Sequence, residues 1–300
     1  MNVLYLTYDG LTDPLGQSQV LPYLIGLSKK GHEITIVSFE KPEQTNDIPT
    51  LQESLDCVHI KWRPLSYTKN PPILSTLFDL YKLKRTCKGL QKKTKFDIVH
   101  CRSYVTSLTG LYLKSRFGLK FIFDMRGFWA DERVDGGIWS LSNPIFRWVY
   151  NYFKRKEKEF LTDADHIISL TFKAEEIIQS WQLKNDKLPI SVIPTCVDTG
   201  HFDPGQIDRK QLETLREKLD LSNKEFILSY LGSLGTWYLV KEMIHFFSRL
   251  KKQIPDARFL IITRDNPGQI FQFADQYDLD RNDFTLVSAS RDEVPYYISL

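Results

Sequence analysis

Short β-rich runs alternate with helical patterns along most of this chain, and this alternation constrains the fold more than any other feature. Before residue 200 the β-rich runs are NVLYLTY, HEITIVSF, CVHIKW, FDIVHC, KFIFDM, DHIISLT and ISVIP. Helical patterns lie between most of them, at 18–30, 73–93, 104–116 and 145–161. Strands and helices that alternate at this spacing predict an α/β fold with a parallel sheet covered on both faces.

A second set of the same kind begins near residue 226. It contains FILSYLG, RFLIIT and FTLVS, with helical patterns at 238–253 and 268–277. Between the two sets lies LKNDKLPISVIPTCVDTGHFDPGQIDRK, which is rich in Pro, Gly and Asp and is typical of a domain junction. We therefore predict two Rossmann-like domains, 1–188 and 189–300, whose parallel sheets face each other across a cleft.

The composition limits the classes of function. The chain of 300 residues is long enough for two cores, and its net charge of +3 is too small to indicate a nucleic-acid partner. The four cysteines, at 57, 87, 101 and 196, are far apart and favour structural roles in a reducing compartment. We find no signal-peptide pattern and no apolar run of about 18 residues, so we expect a cytoplasmic protein.

The first β-rich run ends in the loop DGLTDPLGQSQ, at the edge of the sheet where ligands bind in open parallel folds. Gly16 would let a ligand approach the backbone, while Gln17 and Ser18 offer hydrogen bonds and a helix start. A turn at Gly16 and a helix cap at Ser18 explain the same residues equally well. The glycines at 10 and 16 do not form the G-x-G-x-x-G fingerprint of a dinucleotide site.

Six further segments, in order, are LGQSQVLPYLIGLSKKGHEITIVSF, FDIVHCRS, KFIFDMRGFW, VIPTCVDTGHFDP, LSYLGSLGTWY and DEVPYYIS. Together they resemble the retaining glycosyltransferases of family four, which have the GT-B fold and take a sugar from a nucleotide-sugar donor. The resemblance extends over nearly all of the chain, and the order and spacing of the segments make it more specific than any single motif. It implies acceptor binding by the first domain, donor binding by the second, and retention of stereochemistry.

The chain departs from this family's pattern at several cleft positions. Arg102 and Arg126 stand where the family has two histidines. The donor loop of the family offers an arginine after its glycine and a lysine a few residues on. Here Ser233 follows Gly232, and Trp237 lies near the lysine position. These replacements leave the resemblance of the fold intact and put the usual site chemistry in doubt.

Two more departures concern the second domain. RFLIIT is followed by Arg264 and Asp265 instead of a G-x-G turn. The family's acidic pair, two glutamates with seven residues between them, would come after DEVPYYIS, and the sequence ends there at Leu300. We therefore expect an incomplete second domain and a chain truncated at its C-terminus.

A fixed cation is needed in such a reaction, because the diphosphate leaving group gains negative charge as the sugar bond breaks. We see no cluster of His, Asp and Glu with the spacing of metal ligands, so we expect neither a metal nor another cofactor. Arg126 follows FIFD at a strand end, and Asp124 can orient it or accept a sugar hydroxyl, so these two are the catalytic candidates. Arg264 is an alternative cation, equally explained as a solvated loop residue.

The substrate-binding candidates lie at strand ends in both domains. On the acceptor side they are Gly16, Gln17, Ser18, Arg102 and Ser103. On the donor side they are Gly232, Ser233, Thr236, Trp237, Arg264 and Ser288. The partners expected from the resemblance are a nucleotide-sugar donor and a glycan or lipid-linked acceptor in cell-surface polysaccharide synthesis.

Two basic segments with aromatic residues, LYKLKRTCKGLQKKTK and FRWVYNYFKRKEKEF, bear on location. Such helices can lie on anionic lipid, which would place the protein on the inner face of the cell membrane. They are more often solvated faces.

Two other functions stay open at this point. A non-catalytic sugar-binding or partner subunit is favoured by the missing acidic pair and by the two arginines in place of histidines. An NAD-dependent dehydrogenase is disfavoured, because Glu40 supplies the acid of such a site without the glycines.

Overall fold

The computed structural model of the protein describes residues 1–184, 186–222, 225–235 and 238–300. The chain forms two compact units, Met1–Val197 and Asp198–Leu300. The described strands make one seven-stranded sheet in the first unit and one three-stranded sheet in the second, and the strands of both sheets pair in parallel. The prediction of an α/β fold with two parallel sheets is confirmed.

The strands of the first unit occur in the order β3-β2-β1-β4-β5-β6-β7. Strands β1 to β7 are Asn2–Leu6, Glu33–Glu40, Lys61–Ser66, Ile98–Arg102, Lys120–Asp124, His166–Ser169 and Ile190–Val192. Helices α1 to α8 are Pro14–Gln19, Leu21–Lys29, Ile48–Cys57, Leu74–Thr94, Ser103–Phe117, Trp129–Asp135, Pro144–Asp163 and Phe172–Ser180.

The second unit has the strand order β10-β9-β8. Strands β8 to β10 are Ile227–Leu231, Arg258–Ile262 and Phe284–Val287. Helices α9 to α12 are Arg209–Lys218, Val240–Gln253, Gly268–Gln276 and Val294–Tyr297. In the parts of the chain that the structure describes, no helix is long and apolar enough to span a membrane.

The first sheet is buried on both faces, as its continuous apolar strands predict. Leu4 and Leu6 point into one core with α4, α5 and α7. Tyr5, between them, points into the opposite core with Ile36 and Trp62. Because side chains alternate along a strand, one short run supplies both cores.

The N-terminal helix differs from its prediction. We expected one helix over 18–30, whereas α1 begins at Pro14 and α2 follows after Val20. Proline suits the first helical position, because its fixed φ matches the helix and its missing N–H would have had no partner. Gln17 and Ser18 therefore lie inside α1 and not in the loop, and Ser18 is not its cap.

The junction between the units falls within the predicted segment rich in Pro, Gly and Asp, beyond the boundary drawn at residue 188. We placed the boundary after residue 188, and the first compact unit extends to Val197. The reason is β7, which pairs in parallel with β6 and so belongs to the first sheet.

Candidate functional site

The carboxyl ends of β1, β4 and β5 lie side by side in the first sheet, because these strands are neighbours in its order. Arg102, the last residue of β4, is in register with Asp124, the last residue of β5. Asp9 follows β1 in the adjoining loop. Ligands of open parallel sheets bind at this edge, so its polar side chains are the first place to look for chemistry.

Two arginines meet at one amide oxygen on this edge. The Nη2 group of Arg126 donates to Oε1 of Gln19 at 2.8 Å. The Nη2 group of Arg102 donates to the same oxygen at 3.3 Å, and its Nε donates to Oδ2 of Asp9 at 3.1 Å. The Arg102 side chain is only 4% exposed, so its charge is held inside the protein by these partners.

Asp124 lies between the arginines without a hydrogen bond to either. Its carboxylate is 4.0 Å from Nη1 of Arg102, 3.8 Å from Nη1 of Arg126 and 3.6 Å from Nε2 of His100. Asp124 Oδ1 and His100 Nε2 are buried atoms that lack a hydrogen-bond partner among the described residues. Buried polar atoms of this kind are uncommon and call for an explanation.

Burial and neighbouring charges shift the ionisation of this cluster. Burial lowers the pKa of Arg126, and the nearby positive charge of Arg102 lowers it further. Burial would also lower the pKa of Arg102, but the acidic groups of Tyr5, Asp9 and Asp124 outweigh it and raise that pKa. The two guanidinium groups therefore repel each other, and negative groups around Arg102 compensate for that residue more fully than for Arg126.

The backbone at Arg126 is strained, and the side chains of Tyr104 and Glu132 contact the glycine that follows it. Its φ is +59°, in the left-handed region, and Gly127 follows at +145°. The hydroxyl of Tyr104 donates its proton to the buried carboxylate of Glu157, and its oxygen lies 3.3 Å from the Gly127 carbonyl oxygen. A Cβ at Gly127 would lie 2.1 Å from Oε1 of Glu132, so that side chain packs against the glycine. Strained residues of this kind cluster at functional sites.

The loop after β1 is organised by its own chain. Glu40 accepts hydrogen bonds from the backbone N–H groups of Leu11 and Thr12 at 2.9 and 3.0 Å, and from the Thr12 hydroxyl at 2.6 Å. A Cβ at Gly16 would lie only 2.2 Å from the carbonyl oxygen of Gly10. Gly16 thus lets α1 pack on this loop. The carboxylate of Glu40 is engaged in holding the loop and does not serve as the ribose-binding acid of a dinucleotide site.

Three loops of the second unit are tied together at the carboxyl ends of β8, β9 and β10. The backbone N–H of Leu234 donates to Asp265 at 2.7 Å, and Arg264 donates to the Ala289 carbonyl at 3.4 Å. The Tyr230 hydroxyl donates to the carbonyl of Ser233 at 2.7 Å, which fixes the turn at Gly232. The side chains of Ser233, Arg264 and Ser288 are exposed on these loops.

Residues 19–201 match the model of Glycosyltransferase Family 4, and this match covers more than half of the chain. The chain belongs to glycosyltransferase family 4. Among curated proteins it is similar to EpsD of Bacillus subtilis strain 168, whose name describes it provisionally as a glycosyltransferase. The identity is 27% over 195 residues, which cover 63% of this chain and 47% of EpsD, so the chain spans about half the length of that relative.

Solved structures similar to this family 4 chain show the GT-B fold. Sucrose-phosphate synthase from Thermosynechococcus elongatus has a TM-score of 0.74 at 15% identity, over 100% of this chain and 73% of that one. HepE from Anabaena, solved with UDP and glucose, has a TM-score of 0.65 at 14% identity, over 100% of this chain and 72% of that one. A glycosyltransferase from Rickettsia africae has a TM-score of 0.63 at 16% identity, over 98% and 69%.

Not every predicted residue of this family 4 chain meets the arginine pair. Ser18 is exposed and donates to the Pro14 carbonyl at 2.7 Å within its own helix. Gln17 lies 3.5 Å from the Thr12 carbonyl, and Ser103 begins α5 with a φ of +67°. The candidates Thr236 and Trp237 lie outside the described residues.

Gln19 was missed by the sequence analysis, although both arginines bind it. The available signal was Pro14, which starts α1 and makes Gln19 its last residue. With the helix placed over 18–30, Gln19 had no reason to stand out from its polar neighbours.

A metal site or a cavity in the second unit would be an alternative to this edge in this family 4 chain. No group of three or more His, Cys, Asp or Glu side chains among the described residues is arranged to hold a metal ion. A cavity of about 480 Å³ in the second unit opens near Arg258, at the amino end of β9. Its cations Lys251 and Arg258 already pair with Asp283 at 2.7 Å and Glu225 at 3.7 Å. The carboxyl edge of the first sheet remains the better candidate.

Proposed function

We propose that this protein is a glycosyltransferase that moves a sugar from a nucleotide-sugar donor to a glycan or lipid-linked acceptor. The match of residues 19–201 to family 4 carries this proposal. The fold supports it, because a similar structure, HepE, was solved with UDP and glucose. The arginine pair at the edge of the first sheet adds a place where substrate can be held by charge.

The proposed division of labour follows the two units. The first unit receives the acceptor, with Arg126 and Asp124 as the reacting-centre residues. Its remaining substrate contacts are drawn from Arg102, Ser103, Gly16, Gln17 and Ser18. The second unit receives the donor, with contacts drawn from Gly232, Ser233, Thr236, Trp237, Arg264 and Ser288.

The proposed reaction breaks the bond between the donor sugar and its diphosphate and forms a bond to an acceptor hydroxyl oxygen. The diphosphate leaves with the electron pair of the broken bond, and the proton of the acceptor hydroxyl passes to the departing phosphate oxygen. Positive charge that is already in place lowers the barrier, because it needs no reorganisation when the leaving group becomes more negative. Arg126 is the cation proposed for this task, with Arg264 as the alternative, and retention of stereochemistry and freedom from metal are part of the proposal.

We further propose that the protein works on the inner face of the cell membrane in cell-surface polysaccharide or glycolipid synthesis. The first turns of α4 expose apolar side chains on one face, each 54–63% accessible: Leu74, Leu77, Phe78 and Tyr81. The same face continues with exposed basic residues: Lys84, Arg85, Lys88 and Lys92. An apolar patch that runs into a basic stripe suits an anionic lipid surface.

The test of the transferase is release of nucleoside diphosphate from a panel of UDP- and GDP-sugars, measured with the purified full-length protein. We expect at least one donor to be consumed and its diphosphate to bind the chain. A protein that neither binds UDP or GDP nor consumes any donor would contradict the proposal.

A further inference from the structure

The shared acceptor of Arg102 and Arg126 is an unusual arrangement for two cations. Both guanidinium groups donate to the single Oε1 atom of Gln19, at 3.3 and 2.8 Å. A neutral amide oxygen does not neutralise two positive charges. Asp9 neutralises Arg102 through a hydrogen bond, which leaves Arg126 as the cation with the weaker compensation.

Arg126 also keeps unused hydrogen-bond donors. A guanidinium has five N–H donors, and among the described residues Arg126 donates only to Gln19. Its Nη1 group is 3.8 Å from Asp124, too far for a hydrogen bond. Its side chain is 16% exposed, and none of its nitrogens is among the buried atoms that lack a partner. These donors are therefore open to an incoming group.

We propose that the Arg102–Arg126 pair binds the carboxylate of an acidic sugar, so that the transferase takes a uronic acid as donor sugar or acceptor sugar. This proposal rests on the proposed function and names the class of its substrate. A planar carboxylate matches the fork of a guanidinium with two parallel hydrogen bonds. An anion placed beside Arg126 also relieves its repulsion from Arg102.

A carboxylate fits this edge better than a phosphate ester does. Asp124 and Asp9 already bring two negative charges close to the arginines, 3.8 Å from Arg126 and 3.1 Å from Arg102. A dianionic phosphate would be repelled by the two aspartates about twice as strongly as a singly charged carboxylate, and it would be attracted by the two arginines about twice as strongly, so these effects largely cancel. The cost of taking the ligand's charge out of water remains, and it is greater for a dianion, which favours the monoanion.

The test compares two ligands that differ only at C6, methyl β-D-glucuronide and methyl β-D-glucoside. Binding is measured by NMR titration of the full chain with UDP present. We expect the glucuronide to bind at least about tenfold more tightly, because a hydrogen bond to a charged group is stronger than one to a hydroxyl. A parallel arm compares UDP-glucuronic acid with UDP-glucose and so shows whether the donor sugar or the acceptor sugar carries the carboxylate.

Three variants probe the arginine pair. Arg126→Gln should reduce the preference for the acidic sugar to about twofold or less, because the charge is lost. Gln19→Glu should have the same effect with both arginines kept, since its carboxylate satisfies them from within the protein, and its melting temperature should not fall. Arg116→Gln, an exposed site near the far end of α5, about 20 Å from Ser103, is the matched control and should keep the preference.

Each result has a definite meaning. A preference for the acidic sugar in either arm that disappears in Arg126→Gln and Gln19→Glu supports the proposal. Equal binding of acidic and neutral sugars in both arms, absence of binding in both arms, or a preference that survives Arg126→Gln overturns it. Tighter binding of glucose 6-phosphate than of the glucuronide overturns the choice of a carboxylate.

The failure of this proposal and that of the proposed function are distinguishable. If nucleotide sugars are bound and consumed without any preference for an acidic sugar, the proposed transferase activity is supported and the acidic-sugar site is contradicted. If the arginine-dependent preference is present and no donor is consumed, the acidic-sugar site stands and the transfer reaction falls.

Discussion

At the residue scale, Arg126 combines two features that cost free energy. A non-glycine residue in a sparsely populated backbone region costs about 1–3 kcal/mol, and Arg126 has a φ of +59°. Its guanidinium is also largely withdrawn from water beside a second cation. Nothing in the packing of the turn requires an arginine side chain, since the contacts below it are made by Gly127. Under the proposed function, this cost is offset by the substrate that the guanidinium binds.

We predict that Arg126→Ala lowers turnover at least about tenfold, equivalent to about 1.4 kcal/mol of barrier. Its free energy of unfolding should change little, because alanine adopts the same left-handed backbone and the relief of charge repulsion offsets the lost hydrogen bond to Gln19. Arg126→Gly, which removes the guanidinium and also relieves the strain, should lose the same turnover and unfold at a higher temperature. Steady-state kinetics and thermal unfolding are the measurements, and turnover equal to that of the parent would contradict the prediction.

Gly16 has a packing role that a matched pair of substitutions can measure. In Gly16→Ala the new Cβ would lie 2.2 Å from the Gly10 carbonyl oxygen, and we expect a loss of about 1–3 kcal/mol of stability. In Gly26→Ala, inside α2, the Cβ meets nothing within 4 Å, and we expect a gain of about 0.5–1 kcal/mol. Urea unfolding of both variants checks this, and equal midpoints would show that the loop yields freely.

At the element scale, one carboxylate joins β5, β6 and α5. Asp165, just before β6, accepts hydrogen bonds from the Lys114 ammonium at 2.7 Å, the Lys120 ammonium at 3.0 Å and the Phe121 N–H at 2.9 Å. Partial burial would raise the pKa of Asp165, but these donors outweigh it and lower the pKa to about 2. This carboxylate connects neighbouring elements at the amino ends of β5 and β6, whereas the arginine pair lies at the carboxyl ends of the strands.

This arrangement predicts a dependence of stability on pH. Because the folded pKa of Asp165 lies below its ordinary value of 3.8, its stabilisation is complete above that pH and is lost as the pH falls toward 2. Asp165→Asn should therefore be less stable than the parent at pH 6 and should lose less stability between about pH 4 and 2. Asp163→Asn, an exposed neighbour, is the control. Urea midpoints measured across this range in both variants would contradict the prediction if their pH dependence were the same.

Helix α4 allows a test of the proposed membrane location. We expect cosedimentation with vesicles rich in phosphatidylglycerol at low salt, weakening as salt rises, because exposed charges are screened within about 10 Å at 0.1 M. The double change Leu77→Ser and Phe78→Ser should remove this binding, since both side chains are exposed on the apolar patch.

The control for α4 is Phe172→Ser, which removes an apolar side chain that is 75% exposed on α8. It should leave vesicle binding unchanged. A parent protein that does not cosediment at low salt would rule out the lipid surface and leave an acceptor in solution.

At the scale of the whole molecule, the two units differ in what their strand-end loops offer to a nucleotide. Asp9 and Asp13, in the loop after β1, are already paired with Arg102 at 3.1 Å and with Lys41 at 2.9 Å. The loops of the second unit expose Arg264 together with Ser233 and Ser288. These exposed groups support our proposal that the donor binds the second unit.

Hydrogen exchange in the presence of UDP tests this assignment. We predict slower exchange in the loops at 232–235, 263–265 and 288–290, because a bound diphosphate would engage their N–H groups. Residues 9–18 should exchange at the same rate with and without UDP. Protection confined to residues 16–18 would show that the roles of the two units are reversed.

The sequence predicted the strands well and the helices less completely, for a physical reason. Buried strands are continuous apolar runs, and each β-rich run became a strand, although CVHIKW was displaced because α3 extends to Cys57 and the strand begins at Lys61. Helix α9 was missed, although Leu212, Leu215 and Leu219 recur at helical spacing, because most of its residues are charged or polar and none of them is buried. Helices α3, α6 and α8 are short, and each has a single buried residue.

For the candidate site, the sequence could predict the edge of the sheet and could not predict the partners across it. Arg102 and Arg126 stand at strand ends, which the apolar runs mark. That they share Gln19 depends on how α1 packs on the Gly10 carbonyl, and a distance of this kind is set by tertiary structure. The pattern of apolar and polar residues along the sequence does not determine this distance.

The parallel order of the first sheet has a consequence for protein synthesis. Gln19 and Arg126 are 107 residues apart in the chain, and Asp9 and Arg102 are 93 apart. At about 5–20 residues per second, a ribosome needs roughly 5 to 20 s to deliver Arg126 after Gln19. The earliest part of the site therefore emerges into water long before its cationic partners exist. Asp9 and Gln19 are polar and well solvated during this interval. They therefore add no exposed apolar surface to the nascent chain at the place where the two arginines later bind.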